Sequence, residues 1–255
     1  MSLTTIIVSV EYGDFLQVTL PTVKQLGNVI VATSPHDMLT TMVCDHNNVV
    51  CHQTDVWYKD DAPFNKAAGI NEVLQIQKPY IEWLLLLDAD IVLPPLPSHY
   101  SLNDDLDPSR FYGVRRRNCQ TAEEWARACD NQSWFDLPLE PLPAIKMTGR
   151  GPRLWGHRPT SNPIAVKGFF QLWNYRRHPV VIPEHKTAAK YDVELALMWP
   201  QDRRVLVPWP GYTPIHIGDP RVNWSGRKSD RWDVDMLDLQ GFQEAAERHY
   251  ARFTG

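Results

Sequence analysis

Five consecutive apolar residues, Trp83 to Leu87, limit the possible fold of this chain more than any other stretch. A short, fully apolar run is typical of a strand that is buried on both faces inside a parallel sheet. Other patterns precede it, with strands predicted at 4–10, 29–33 and 48–51 and helices at 14–26 and 63–77. Strands that alternate with helices need crossover connections, so the sequence predicts an α/β fold with a mostly parallel central sheet.

The regular alternation ends after Leu93, where a proline-rich stretch follows. Thr121 and Glu124 have the spacing of a capping box and predict a short helix through about residue 129. Residues 136–163 are rich in Pro, Gly and Arg, which is typical of a long functional loop. The remaining patterns predict strands at 164–173, 205–208 and 213–217 and helices at 187–199 and 237–253.

The composition is that of an ordinary globular chain, with 43% hydrophobic and 22% charged residues. No apolar run approaches about 18 residues, and the first residues lack a basic segment and a cleavage site. We therefore expect neither a transmembrane helix nor a signal peptide. The four cysteines form no CxxC pair, so we expect reduced thiols and a cytoplasmic location.

The net charge of −4 conceals an uneven distribution. Residues 1–109 have a net charge of −10 and no arginine, whereas residues 110–178 have a net charge of +7 and ten arginines. The planar guanidinium group matches phosphate geometry, so the middle segment suits a polyanionic partner. A solvated basic surface without a partner is the alternative interpretation.

Two carboxylates, Asp88 and Asp90, follow the apolar run directly. Ligands of open α/β sheets bind at the carboxyl ends of the strands, which is where this pair is expected to lie. Two carboxylates so close together repel each other unless a cation holds them, and hard oxygen ligands suit Mg²⁺ or Mn²⁺. The pair therefore predicts a metal site, with a solvated turn after a strand as the alternative.

Three segments together resemble the GT-A glycosyltransferases, especially the inverting enzymes of family 2. They are the first strand and helix with Glu11-Tyr12, the element 65–71 (NKAAGIN) and the Asp88-Ala89-Asp90 motif in its strand. The resemblance implies a GT-A fold, a single Rossmann-like α/β/α sandwich, over residues 1–255. It also implies metal-dependent sugar transfer from a nucleotide sugar, with a UDP-sugar expected, to an acceptor hydroxyl. Residues 1–95 would then bind the donor, and residues 96–255, with the C-terminal helix, the acceptor.

The resemblance also implies which residues bind the donor. Asp88 would face the ribose or the metal, and Asp90 would bind the metal that holds the diphosphate. The nucleoside would lie against the ends of the first two strands and the helix that carries the family's lysine. The implied donor-binding residues are Val10, Glu11, Tyr12, Thr33, Asp37, Lys66, Asp88, Ala89 and Asp90.

Residues late in the chain complete the implied site. His216 would be a third metal ligand, which favours Mn²⁺, and Arg227 with Lys228 would neutralise the diphosphate. Asp192 matches the family's general base, and its position implies inversion at the anomeric carbon. Tyr191 replaces the family's preceding Glu, so Glu194 is the second candidate for the base. Residues 168–173 would form the floor of the acceptor site.

Several interpretations of the activity remain open at this point. The arginine-rich segment favours DNA that contains a 5-hydroxymethylpyrimidine as the acceptor, as for viral enzymes that act in a host cytoplasm. A glycan, a lipid-linked sugar or a small molecule is the alternative acceptor. A sugar nucleotidyltransferase is disfavoured because Glu11 and Asp14 make the loop after the first strand acidic. A non-catalytic nucleotide-binding module is the third possibility.

Overall fold

The computed structural model describes residues 2–95, 105–130, 137–140, 144–148, 151–155, 166–209, 212–218, 223, 225–228, 230–232 and 244. The strands are β1 (Leu3–Val8), β2 (Asn28–Thr33), β3 (Val50–Gln53), β4 (Trp83–Asp88), β5 (Ile91–Val92), β6 (Phe111–Gly113), β7 (Arg117–Cys119), β8 (Ala144–Thr148), β9 (Gly151–Trp155), β10 (Phe170–Asn174), β11 (Arg204–Leu206) and β12 (Ile215–Ile217). The helices are α1 (Gly13–Lys24), α2 (Met38–Asn47), α3 (Lys66–Gln77), α4 (Ala122–Asp130) and α5 (Tyr191–Leu197). Short 3₁₀ helices cover Val56–Asp61, Lys78–Tyr80 and Gln201–Arg203.

A seven-stranded sheet in the order β11-β6-β10-β4-β1-β2-β3 forms the centre of the fold. Strands β4, β1, β2 and β3 are parallel neighbours, and β10 is antiparallel to both β4 and β6. The predicted α/β fold with a mostly parallel central sheet is therefore confirmed. Because β10 is reversed, the residues that precede it lie at the same edge of the sheet as the carboxyl ends of β1 and β4.

Strand β4 is buried on both faces, as its apolar sequence predicts. Leu84 and Leu86 pack in the cluster that contains α3 and α5, whereas Leu85 and Leu87 pack in the cluster that contains α1 and α2. Each fully buried leucine side chain stabilises the fold by roughly 1.5–3 kcal/mol. The helices thus cover both faces of the sheet, and the predicted α/β/α sandwich is confirmed.

A small second sheet, in the order β5-β12-β7, brings the late strand β12 to the turn after β4. His216 is the register partner of Ile91 in β5, and the backbone N–H of Ile217 donates to the carbonyl of Asp90 at 2.9 Å. Strand β12 is also parallel to β7. This pairing fixes His216 beside the Asp88-Ala89-Asp90 turn.

Helix boundaries differ from the prediction where side chains cap the helix. Helix α3 begins at Lys66 rather than at residue 63, because the side chain of Asn65 accepts a hydrogen bond from the Ala68 N–H at 3.1 Å. Helix α2 was not predicted. Asp37 caps its start through the Thr40 N–H at 3.0 Å, and Asn48 ends it in the left-handed conformation.

The second half of the chain confirms some elements and corrects others. The capping box of α4 is confirmed, since the Glu124 N–H donates to the Thr121 hydroxyl at 3.1 Å. The predicted loop 136–163 is wrong in part, because β8 and β9 form an antiparallel hairpin there. Of the strand predicted at 164–173, residues 164 and 165 fall outside the described residues, residues 166–169 are not in a strand, and β10 begins at Phe170.

The other predicted elements are present but shorter. The helix predicted at 187–199 covers Tyr191–Leu197, and the strands predicted at 205–208 and 213–217 are β11 and β12. The C-terminal helix predicted at 237–253 falls outside the described residues, apart from residue 244. Among the described helices, none has the length and apolar character needed to cross a membrane.

Candidate active site

A pocket of about 330 Å³ opens at the carboxyl ends of β1 and β4. The residues before β10, the start of α5 and β12 contribute to its wall. The structure therefore brings together most of the residues that the resemblance implied. Those that line the pocket are Val10, Tyr12, Lys66, Asp88, Ala89, Asp90, Asp192 and His216.

Lys66 and Asp88 form an ion pair on the floor of this pocket. Asp88 is the last residue of β4, and its backbone N–H donates to the carbonyl of Phe169 at 3.2 Å. Burial alone lowers the pKa of Lys66, but the adjacent Asp88 carboxylate outweighs it, so the pKa of Lys66 is raised. Lys66 therefore remains a cation in the pocket at any physiological pH.

Asp90 and His216 form the second polar pair, with 3.3 Å between Oδ2 of Asp90 and Nε2 of His216. Both residues are buried, at 7% and 3% exposure. Burial raises the pKa of Asp90, but the neighbouring His216 outweighs it, so the pKa of Asp90 is lowered. Among the described residues, neither Oδ1 of Asp90 nor Nδ1 of His216 has a hydrogen-bond partner, although both atoms are buried.

This pair fits part of a divalent cation site. An unpaired buried carboxylate oxygen costs free energy, and a cation would satisfy it. Asp88 is already paired with Lys66, and the described residues contain no group of three metal-ligating side chains. The protein would thus supply Asp90 and His216, and the oxygens of a bound diphosphate would complete the coordination.

Asp192, the second residue of α5, also lines the pocket. Its carboxylate accepts hydrogen bonds from the N–H of Gly168 at 3.0 Å and of Val193 at 2.8 Å. Burial raises the pKa of Asp192, and these two bonds offset only part of the effect. A fixed carboxylate with raised proton affinity is suited to accept a proton as a general base.

Glu194, the second candidate for the base, lies elsewhere. Its Oε2 atom is 2.8 Å from Nε2 of His185, and the residue does not line the pocket. Glu194 follows Asp192 by two residues in helix α5, and residues two apart do not share a helix face. The geometry thus favours Asp192 of the two carboxylates.

Three of the implied nucleoside-binding residues, Glu11, Thr33 and Asp37, do not line the pocket and are joined by hydrogen bonds instead. The Asp37 carboxylate accepts hydrogen bonds from the Glu11 N–H at 2.5 Å, the Thr40 hydroxyl at 2.7 Å and the Thr33 hydroxyl at 3.3 Å. Glu11 itself has a positive φ of 65°. Asp37 therefore holds the backbone of the strained loop from which Val10 and Tyr12 reach the pocket.

Arg227 is also committed to the protein itself. Its guanidinium binds both carboxylate oxygens of Asp14, donates to the Glu11 carbonyl at 2.7 Å and lies 4.8 Å from the ring centroid of Tyr12. Its side chain is 5% exposed, and its charge is balanced by the buried Asp14 carboxylate. Arg227 does not line the pocket. Lys228 is exposed, and its backbone N–H donates to Asn223 at 2.9 Å. Neither side chain lines the pocket in this structure, and the expectation that both face a bound diphosphate stays a prediction.

The pocket also contains charged residues that the sequence did not assign to it, namely Arg116, Glu140 and Lys167. Arg116 was assigned only to the basic segment, and Lys167 directly precedes the predicted acceptor floor. Glu140 has no sequence signal of its own. It enters the site because the 137–140 segment pairs with the backbone at Arg116 and Asn118.

Comparisons with known proteins identify no family for this chain. No family model and no curated protein matches the chain. Among solved structures, the bifunctional glycosyltransferase WbbM is 10% identical with a TM-score of 0.49, over 98% of this chain and 51% of that one, so this chain spans about half its length. A 4-diphosphocytidyl-2C-methyl-D-erythritol synthase is 11% identical with a TM-score of 0.46, over 95% of this chain and 99% of that one.

A third similar structure is glucosyl-3-phosphoglycerate synthase from Mycobacterium tuberculosis, in complex with Mn²⁺, UDP and glucosyl-3-phosphoglycerate. It is 12% identical with a TM-score of 0.40, over 86% of this chain and 73% of that one. Likeness at this level does not bear on activity, because one fold serves many reactions.

Proposed function

We propose that this protein is a metal-dependent GT-A glycosyltransferase that transfers a sugar from a nucleotide-sugar donor to an acceptor hydroxyl with inversion. One observation carries the proposal. The Lys66–Asp88 pair, the Asp90–His216 pair and Asp192 converge in a single pocket at the carboxyl ends of the parallel strands. The first two pairs suit a diphosphate with its cation, and Asp192 suits a proton transfer.

The charge balance of the pocket supports a role for a cation. Four carboxylates line the pocket (Asp88, Asp90, Glu140 and Asp192), against three cationic side chains (Lys66, Arg116 and Lys167). A nucleoside diphosphate would enter this environment at an electrostatic cost unless positive charge came with it. When bound through Asp90 and His216, Mn²⁺ or Mg²⁺ would supply Lewis-acid stabilisation of the charge that develops on the departing diphosphate.

The donor half of the pocket has room for a nucleoside against its first strand. Val10 and Tyr12 line the pocket at the end of β1, and an aromatic ring there can pack against a flat base. We take uridine diphosphate as the expected nucleotide. Lys66, which is held as a cation, would contact the donor beside Asp88.

The transfer step follows from the position of Asp192. The acceptor oxygen would form a bond to the anomeric carbon while the bond from that carbon to the diphosphate oxygen breaks. Asp192 would take the hydroxyl proton, and the nucleoside diphosphate would leave with the bonding electrons. One direct displacement of this kind inverts the anomeric configuration, and the Gly168 N–H would keep the base oriented.

The proposal that DNA is the acceptor loses part of its basis. Arg116 binds Glu140, and Arg117 donates to the carbonyl of Leu137 at 2.6 Å, so both are engaged within the protein. Arg115, Arg176 and Arg177 are exposed and remain available to a polyanion. A hydroxymethylpyrimidine in DNA therefore stays a prediction, to be tested beside other acceptors.

The test is a donor screen with Mn²⁺ in which free nucleoside diphosphate is measured for the wild type and for Asp90→Asn and Asp192→Asn. Asp202→Asn is the matched control, because the side chain of Asp202 is 80% exposed and does not line the pocket. We expect turnover of a UDP-sugar that both site variants lower at least 100-fold and the control leaves unchanged. Pyrophosphate release from a nucleoside triphosphate and a sugar phosphate would instead identify a nucleotidyltransferase.

A further inference from the structure

Arg116, Glu140 and Lys167 form a charged cluster on the wall of the pocket that the proposed reaction does not use. Both oxygens of the Glu140 carboxylate are engaged, one by Nε of Arg116 and the other by Nζ of Lys167. The Arg116 guanidinium also lies 4.4 Å from the ring centroid of Phe169, which lines the same pocket. The cluster is thus a fixed arrangement and not a set of mobile surface charges.

The cluster carries an unbalanced positive charge. Burial raises the pKa of Glu140, but Arg116 and Lys167 outweigh it, so the pKa of Glu140 is lowered and the group is ionised. One carboxylate thus faces two cations. Arg116 is only 8% exposed, and among the described residues its terminal Nη atoms make no hydrogen bond. The planar fork of an arginine binds phosphate and carboxylate groups in pairs of hydrogen bonds.

The location of the cluster relates it to the base. Lys167 directly precedes Gly168, whose N–H binds the Asp192 carboxylate. Arg116 and Lys167 line the same pocket as Asp192. Lys66 and Tyr12 line the pocket on the side of β1 and α3. An anion bound by Arg116 and Lys167 would therefore lie on the acceptor side, next to the base.

We infer that Arg116 and Lys167 form an anion subsite that binds a phosphate or carboxylate group of the acceptor, adjacent to the hydroxyl that receives the sugar. This inference rests on the proposed function, whose acceptor it narrows to small anionic hydroxyl compounds. Phe169 supplies an apolar wall to the subsite, and Glu140 fixes the relative positions of the two cations by pairing with both.

Binding measurements test the subsite without any turnover. Inorganic phosphate is titrated into the wild type saturated with UDP and Mn²⁺, and into the protein alone, by calorimetry. We expect phosphate to bind, and Lys167→Gln and Arg116→Gln to weaken it about tenfold or more while UDP affinity changes less than twofold. Arg177→Gln is the control, because Arg177 is exposed and outside the pocket lining. Lys167→Arg, which keeps the charge, should retain most of the phosphate affinity even if Arg116→Gln does not fold.

The outcomes separate the two proposals. Loss of UDP affinity in Lys167→Gln, equal to the loss of phosphate affinity, would assign these cations to the donor diphosphate and overturn the inference. The inference would also be overturned if phosphate bound the wild type neither in the presence of UDP and Mn²⁺ nor in their absence. If phosphate binds but UDP with Mn²⁺ does not, the anion subsite stands and the proposed function fails.

Acceptor kinetics provide the second test. Glycerol, glycerol phosphate and glycerate are compared as acceptors with the best donor, beside a hydroxymethylcytosine-containing DNA duplex. We expect kcat/KM at least tenfold higher for the anionic acceptors than for glycerol, and Lys167→Gln should abolish that preference. Turnover of the DNA or of glycerol without any preference for the anionic small acceptors would overturn the inference.

Discussion

Gly168→Ala is the substitution that most directly tests Asp192 as the base. A Cβ atom at residue 168 would lie 2.9 Å from Cβ of Asp192 and 2.9 Å from the Tyr191 hydroxyl oxygen. Carbon atoms in contact prefer about 3.5–4.0 Å, so α5 or the 166–169 segment would have to move by roughly half an ångström or more. The backbone of Gly168 is not in the left-handed region, so the whole effect comes from this contact.

The magnitude follows from the displacement of the carboxylate. A misplacement of about 1 Å can lower a rate about 100-fold, so we expect kcat/KM to fall roughly 10- to 100-fold. Overpacking costs about 1–3 kcal/mol, and the smaller unfolded-state entropy of Ala offsets about 0.4–1 kcal/mol of it. The remaining loss, up to roughly 2.6 kcal/mol, lowers Tm by up to about 10 °C at about 2–4 °C per kcal/mol for a chain of this size. UDP affinity should not change, since the donor contacts lie elsewhere.

Steady-state kinetics, calorimetry with UDP and thermal unfolding measure these three quantities. Gly113→Ala is the matched control, because its Cβ would also lie 2.9 Å from a neighbour, the Val166 side chain, which is not in the pocket lining. The control should lose stability without losing kcat/KM. Wild-type kcat/KM in Gly168→Ala would refute the reasoning, because a base that tolerates this displacement is not held by the Gly168 contact.

Three further predictions concern the charges around the site. Arg227→Met leaves the buried Asp14 carboxylate without its cation, so the free energy of unfolding measured in urea should fall by about 3–5 kcal/mol. The KM for the donor should rise, because the Tyr12 ring loses its contact with the guanidinium. Unchanged stability would contradict the bidentate pair. Burial raises the pKa of Asp192, and the base must be ionised to act. As the pH is lowered, kcat/KM should therefore begin to fall at a higher pH than it would for an ordinary aspartate. The residual activity of Asp192→Asn should lack this acidic decrease. Chelation with EDTA should abolish turnover, and full activity in EDTA would exclude the cation from the reaction. His216→Ala should raise the Mn²⁺ concentration needed for half-maximal activity about tenfold or more.

The first half of the fold was predictable because its signals are local. The apolar run of β4 predicts a strand buried on both faces without any knowledge of the tertiary structure. The positions of Asp88 and Asp90 at the end of this strand follow directly from the sequence. The helix boundaries were less predictable, because caps decide them. Asn65 moved the start of α3, and α2 escaped prediction because its exposed Met38 and Met42 obscure the apolar face that Val43 and Cys44 bury.

Gly69 illustrates a packing constraint that the sequence does not reveal. A Cβ at this position would lie 2.1 Å from the ring of Trp57, which is fully buried. A glycine is therefore required here, because a tryptophan fills the space beside α3. The sequence shows the glycine, but it does not show that residues 57 and 69 touch.

The acceptor side of the site was the least predictable, and the direction of one strand explains why. The pattern at 164–173 predicts a strand but not its orientation, and a parallel strand would present its carboxyl end at the pocket. Because β10 is antiparallel to β4, with Phe170 opposite Leu87, its amino end lies there instead. Lys167, Gly168 and Phe169 consequently enter the pocket, and Gly168 meets Asp192. The orientation of β10 thus decides which residues line this side of the pocket, and it depends on tertiary packing that no local pattern in the sequence encodes.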